Sequence, residues 1–259
     1  MTALSHDRPI NGLTDSLTLI GRCIRLNRRN ADVMLMSVLL PLLMMALFVY
    51  VFGGAINTGT AYINYVVPGI ILLCTGYGAA STAMAVADDM NSGMIDRLRS
   101  MPIRSFAVLT GHVTASVARN AVSTTIVIGA AIAMGFRPNA NVLDWILTCG
   151  LLMLYVLAMS WLAAGLGVIA RSVESASALS FAMLFLPYLS SAFVPTDTMP
   201  SALRGFSAHQ PLTPVIETVR ALLTGMPVTR GWTALIWCAA LLVASFLLAT
   251  TLYRHRTRK

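Results

Sequence analysis

The sequence predicts an all-α membrane protein with six transmembrane helices, and three observations carry that prediction. Hydrophobic residues fill 57% of the 259 positions and charged residues only 11%, whereas a soluble domain carries about 25% charged residues. Six apolar runs approach or exceed the roughly 17–25 residues that a helix needs to cross a ~30 Å hydrocarbon core. The basic residues are confined to the termini and to the segments between those runs, with one exception.

Taken in order, residues 13–30 precede the first run. Leu13, Leu17, Ile20 and Ile24 fall at i, i+4, i+7 and i+11, one face of a helix, while Arg22, Arg25, Arg28 and Arg29 lie mostly off it. That pattern predicts a helix lying in the membrane interface. The first 32 residues hold no short apolar core with a cleavage site, so no secretory signal peptide is expected. The predicted spans are 33–52, 63–86, 106–134, 142–170, 176–193 and 232–253. Tyr50, Tyr62, Tyr65, Trp145, Trp232 and Tyr253 stand near their ends, as suits the headgroup layer. If the N-terminus is inside, thirteen basic residues fall on inner segments and four on outer ones. This asymmetry predicts a multi-pass plasma-membrane protein with both termini in the cytoplasm.

Arg119 is the exception, lying within the third run. It precedes Gly135 by 16 residues, about 24 Å of helix. If Gly135 marks the outer end, Arg119 reaches the inner headgroups, and a snorkelling side chain is expected. The fourth run carries Ser160, Ala163, Ala164, Gly165 and Gly167, and the fifth carries Ala176, Ser177, Ala178, Ser180 and Ala182. Small residues predict close helix packing. Between the fifth and sixth runs, residues 195–225 hold several prolines that break any long helix. Yet Val215–Leu223 is amphipathic, with Glu217 and Arg220 as i,i+3 neighbours able to pair. Short re-entrant helices packed on protein in the outer leaflet are expected here.

The composition excludes several functions. A net charge of +8 without a basic face interleaved with aromatics argues against nucleic acid and for anionic lipid headgroups. The four cysteines and four histidines are scattered, so no metal site is expected. The spans hold no histidine pair and no deep carboxylate, which argues against an intramembrane enzyme. A Walker A loop needs a Gly-rich run ending in Gly-Lys-Ser/Thr, and the single lysine is Lys259.

The stretch "NSGMIDRLRSMPIRS", residues 91–105, lies between the second and third runs. Asn91 or Ser92 can cap a helix start, Gly93 permits close approach, and Pro102 ends about two turns. Met94, Ile95 and Leu98 form an apolar edge, while Asp96, Arg97 and Arg99 face elsewhere. Spacing alone leaves two readings, a short amphipathic helix at the inner surface (91–101) or a positively charged topology anchor.

The larger stretch "DDMNSGMIDRLRSMPIRSFAVLTGHV", residues 88–113, resembles the cytoplasmic signature of ABC-2 type permeases, especially their daunorubicin-resistance branch. The matching residues are Asp89, Gly93, Asp96, Arg97, Leu98, Arg99, Ser100, Pro102 and Gly111. "SSAFVPTDTMP" followed by "QPLTPVIETVRALLTG", with Pro211, Leu212, Thr213, Glu217 and Arg220, resembles the outer segment before that family's last span. His112 and Gln210 depart from the pattern, where arginine and asparagine are usual.

The resemblance implies the permease half of an ATP-driven exporter, one membrane domain over residues 1–259. Residues 91–101 would be a coupling helix docked in a groove of a separate ATP-binding cassette subunit, where ATP and Mg would bind. A second permease chain is implied, identical or not. The cargo would be an amphipathic drug-like or lipid-like molecule moved outward, with Phe185, Tyr188 and Phe193 as candidates to contact it. The alternative is an ATP-independent secondary transporter or channel.

Overall fold

The computed structural model describes residues 21, 31–56, 58–93 and 105–257. The helix expected over 13–30 lies outside the described residues apart from Gly21. The described chain forms eight α-helices: α1 Ala31–Ala46, α2 Tyr62–Asn91, α3 Ser105–Ala133, α4 Val142–Ile169, α5 Val173–Phe185, α6 Ser201–His209, α7 Leu212–Thr224 and α8 Gly231–Thr257. α1 contains Pro41 and runs on into a π-helical turn, Leu47–Phe52. A 3₁₀ turn, Leu186–Leu189, follows α5, and another, Thr196–Thr198, precedes α6.

Five helices among the described residues are long and apolar enough to cross a membrane: α1 with its π turn, α2, α3, α4 and α8. The run expected over 176–193 takes a different form. Regular helix begins at Val173, on a capping box in which Ser172 and Ser175 bond each other's backbone N–H. It ends at Phe185, where Pro187 tightens the chain into the 3₁₀ turn. Helix and turn cover Val173–Leu189, about 26 Å or slightly more along the axis, at the short end of what crosses the hydrocarbon core.

α2 is the hub. It packs against α1, α3, α4, α5 and α7, while α8 lies along α4 and also meets α7. Of the most apolar 18 residues of α2, 83% are buried, against 17% in α1 and in α8. The outer faces of those two helices present Leu35, Leu43 and Tyr50, and Ile236, Val243 and Leu247. An apolar surface on this scale is stable against lipid or another membrane chain and not against water.

Small residues bring α4 onto α2, as their pattern predicts. A Cβ on Gly167 would lie 2.4 Å from the Ala83 carbonyl oxygen and 2.8 Å from the Val86 Cβ. The obstacle is backbone, so the helices would have to part. Gly167→Ala is expected to cost about 1–3 kcal/mol, read as a lowered unfolding temperature of the detergent-solubilised chain. In α5 the small residues divide, with Ala176 and Ser180 buried against α2 and Ser177, Ala178 and Ala182 exposed.

Arg119 corrects the snorkelling expectation. It sits midway along α3, 7% exposed, and reaches sideways to α2. Its Nη2 donates to the Gly78 carbonyl at 2.6 Å and to the Thr82 hydroxyl at 2.8 Å. A helix carbonyl beside a residue without a side chain is open to a second donor, and Thr82 adds an acceptor one turn on. Around it runs a polar seam: Ser116–Ser160 hydroxyls at 2.9 Å, Ser37–Ser123 hydroxyls at 2.9 Å, and Asn120 Nδ2 donating to the Ser116 carbonyl at 3.0 Å. These bonds join α1 to α3 and α3 to α4 where buried polar groups need partners.

Candidate coupling face and transport path

Two ends of the bundle and one aromatic strip bring the candidate residues together. At the end where α2 finishes and α3 begins, Asn91 is the last residue of α2. The Ser92 N–H bonds back to the Asp88 carbonyl at 2.9 Å, and Gly93 takes φ +71°. Glycine is suited there because the left-handed backbone ends the helix without a Cβ clash. Among the described residues no atom lies within 4 Å of a Cβ built on Gly93. Asp96, Arg97, Leu98, Arg99, Ser100 and Pro102 lie outside the described residues.

The flanks of that segment are fastened. Asp89 Oδ2 lies 3.0 Å from His112 Nε2, linking the last turn of α2 to α3. His112 is 8% exposed, so this departure from the family pattern has a half-buried acidic partner. Arg256, near the end of α8, donates Nη1 to the carbonyls of Val168 and Ala170, the latter at 2.8 Å, and Nη2 to Asn91 Oδ1 at 3.3 Å. One guanidinium thus ties α8 to the C-terminal ends of α4 and α2. The carbonyls left open at a helix C-terminus favour a cation. From sequence, Arg256 counts only towards membrane orientation; its spacing along the chain gives no sign of these partners.

At the opposite end, α7 covers the start of α2 and α6 packs against α7. Arg220 stacks its guanidinium 3.7 Å from the centroid of the Tyr65 ring. Its Nε donates to the Tyr65 carbonyl at 3.0 Å and its Nη2 to the Ser191 carbonyl at 2.7 Å. The Tyr65 hydroxyl donates to the same Ser191 carbonyl at 3.0 Å, and the Tyr62 hydroxyl to the Phe193 carbonyl at 2.8 Å. Burial pushes the Arg220 pKa down, and the nearby Tyr65 and Glu217 offset part of that. Glu217 bonds Arg230 at 3.3 Å, so the expected partnership with Arg220 gives way to two separate contacts. α7 turns Arg220 towards backbone carbonyls of α2 and of the chain after α5, which no i,i+3 rule could foresee.

The remaining outer-segment candidates are structural neighbours of that clamp. Pro211 precedes the first turn of α7, and Leu212 and Thr213 are fully buried. The Thr213 hydroxyl donates to the Ser207 carbonyl at 2.6 Å. Gln210 Nε2 donates to the Leu189 carbonyl at 2.6 Å, giving the second departure a buried task. The Ser207 hydroxyl bonds that same carbonyl.

The three residues proposed to meet cargo belong to a longer aromatic strip. Phe193 stacks on Tyr188 at 5.2 Å and on Phe48 at 4.2 Å between ring centroids. Tyr188 meets Phe185 at 6.0 Å, Phe185 meets Phe181 at 5.4 Å, and Phe48 meets Phe52 at 5.6 Å. Phe193 is buried, 4% exposed, whereas Phe185 is 51% and Phe181 58% exposed. The strip therefore runs from a buried stack between α1 and the 3₁₀ turn out to an open face of α5. Phe48, Phe52 and Phe181 escaped the sequence reading, although the i,i+4 spacing of Phe181 to Phe185 and of Phe48 to Phe52 marks adjacent rings.

Comparison with known proteins follows the same elements. A family model described as ABC-2 type transporter matches residues 14–224. The chain is 31% identical over 227 residues to the daunorubicin resistance ABC transporter permease protein DrrB1 of Streptomyces coeruleorubidus, covering 85% of this chain and 78% of that one. It is 25% identical over 216 residues to the probable doxorubicin resistance ABC transporter permease protein DrrC of Mycobacterium tuberculosis, covering 80% and 76%.

Proposed function

The chain belongs to the ABC-2 type transporter family, and from that premise we propose that it is the membrane permease subunit of an ATP-driven exporter. The family match across residues 14–224, which includes the whole segment between α2 and α3, is the observation that carries this reading. ATP and Mg belong to a separate ATP-binding cassette subunit, and a second permease chain completes the pathway. Both termini and residues 91–101 are on the cytoplasmic side, as the basic residues favour.

In this mechanism residues 91–101 seat their apolar edge, Met94, Ile95 and Leu98, in a groove of the ATPase. Arg97 and Arg99 fix the orientation. Closure of the ATPase pair moves the segment, and its fastened flanks pass the motion on. The Asp89–His112 contact couples it to α2 and α3 together. The Arg256 bonds couple the end of α2 to α4 and α8. Rigid helices joined at their ends move as a block, which is how a short segment can rock a bundle.

The cargo is an amphipathic molecule with a flat apolar part. Two of the relatives are named for resistance to daunorubicin or doxorubicin, and the open end of the aromatic strip, Phe181 and Phe185, offers ring faces at the surface of α5. Offset stacking on such rings contributes about 0.5–1.5 kcal/mol per pair beyond area burial.

The test is gentle affinity purification of the chain from its native membrane, with identification of what accompanies it. A stoichiometric partner carrying a Walker A sequence is expected, and ATP-dependent efflux of an anthracycline by the reconstituted pair. A chain that comes down alone and transports alone in liposomes would overturn the reading.

A further inference from the structure

A groove of about 170 Å³ opens between α3 and α4 on the outside of the bundle, away from the aromatic strip and from both fastened ends. Its mouth is formed by exposed Ala121 and Cys149, and Leu152 and Val156, 8% and 7% exposed, lie deeper. Trp145 stands towards the start of α4. Four polar side chains interrupt an otherwise apolar wall: Asn120, Thr124, Thr125 and Thr148. Asn120 and Thr125 donate to carbonyls of their own helix, whereas Thr148 is 1% exposed and its hydroxyl has no hydrogen-bond partner.

That hydroxyl is unusual in this protein. Thr75, Thr114, Thr125 and Thr218 all donate to the carbonyl four residues back, the ordinary refuge of a helical threonine. Thr148 does not, and a buried hydroxyl left unmade is costly. An acceptor brought in by a ligand would satisfy it.

We propose that this groove binds a membrane phospholipid from the leaflet in which α3 ends and α4 begins, with an ester carbonyl accepting from the Thr148 hydroxyl and the acyl chain along Leu152 and Val156. Depth supports the assignment. Thr148 lies six residues after Val142, the first residue of α4, about 9 Å along the helix. With the start of α4 in the headgroup layer, that is close to where headgroup gives way to hydrocarbon. Trp145, one turn nearer the start, suits the headgroup layer itself. Size excludes the rival occupant. A dry apolar cavity of ~150 Å³ takes a benzene-sized group, so 170 Å³ takes a stretch of acyl chain. It is too small for a helix ~10 Å across from a second copy.

The experiment uses the full chain in detergent on a Cys23→Ser background. Cys74 and Cys238 are buried, which leaves Cys149 at the groove mouth as the reactive thiol. Adding dioleoyl phosphatidylethanolamine is expected to slow maleimide alkylation of Cys149 at least fivefold, and native mass spectrometry is expected to show one lipid retained per chain. Thr148→Val keeps the side-chain volume and is expected to raise the lipid concentration needed for protection about fivefold, the worth of one ordinary hydrogen bond. Ala121→Trp, at the exposed mouth, is expected to abolish retention. Equal alkylation with and without lipid overturns the proposal, as does a Thr148→Val chain that behaves as the parent does. Protection that follows protein concentration instead of lipid overturns it too, and makes the groove a contact between copies.

Discussion

Leu98→Asp is expected to reduce ATP-dependent anthracycline efflux at least tenfold while leaving membrane insertion and fold intact. A carboxylate on the apolar edge of residues 91–101 would have to be desolvated when the segment seats in its groove. Burying an unpaired charge costs several kcal/mol, and each 1.4 kcal/mol is a factor of ten in binding. Arg97→Glu is expected to act through orientation and so to be milder, and it should be partly rescued by a charge reversal in the ATPase groove. Efflux from inverted vesicles, with the amount of ATPase subunit retained by the purified permease, reads both effects. Normal efflux from the Leu98→Asp chain would return residues 91–101 to a topology anchor.

Arg220→Ala is expected to destabilise the chain by roughly 3–5 kcal/mol, the largest effect of any single change outside residues 91–101. The guanidinium supplies two charge-assisted bonds to backbone carbonyls and one face-on contact with Tyr65. A hydrogen bond to a charged group contributes about 1.5–3 kcal/mol, and a desolvated cation–π contact up to about 2, with the sum reduced because the contacts share one side chain. Ser191 keeps the Tyr65 hydroxyl as a second donor, and the Tyr65 carbonyl keeps the backbone N–H one turn on in α2. Arg220→Lys is expected to recover less than half, because a lysine is a point charge without the planar fork. Thermal unfolding in detergent separates the three chains. Equal unfolding temperatures would show that α7 is held by its apolar face alone, through Val215, Ile216, Val219 and Leu223, all buried.

Residues by themselves determined the membrane class, the order and approximate bounds of the apolar helices, and the family. Those properties rest on composition and on runs of about 20 residues, which need no knowledge of what packs on what. The two short stretches that resemble ABC-2 permeases are contiguous, so they too are legible along the chain. Partners are not. Arg119 reads as a residue free to snorkel until α2 is seen beside it, offering the Gly78 carbonyl and the Thr82 hydroxyl. Glu217 and Arg220 read as a pair until α7 is placed on Tyr65 and Ser191 and the chain brings Arg230 to Glu217. Arg256, 88 positions from Val168 and 165 from Asn91, carries no sequence trace of either contact. Each of these outcomes depends on a group supplied by another part of the chain. A helix's own period tells which face a side chain is on, but only tertiary packing decides what that face meets.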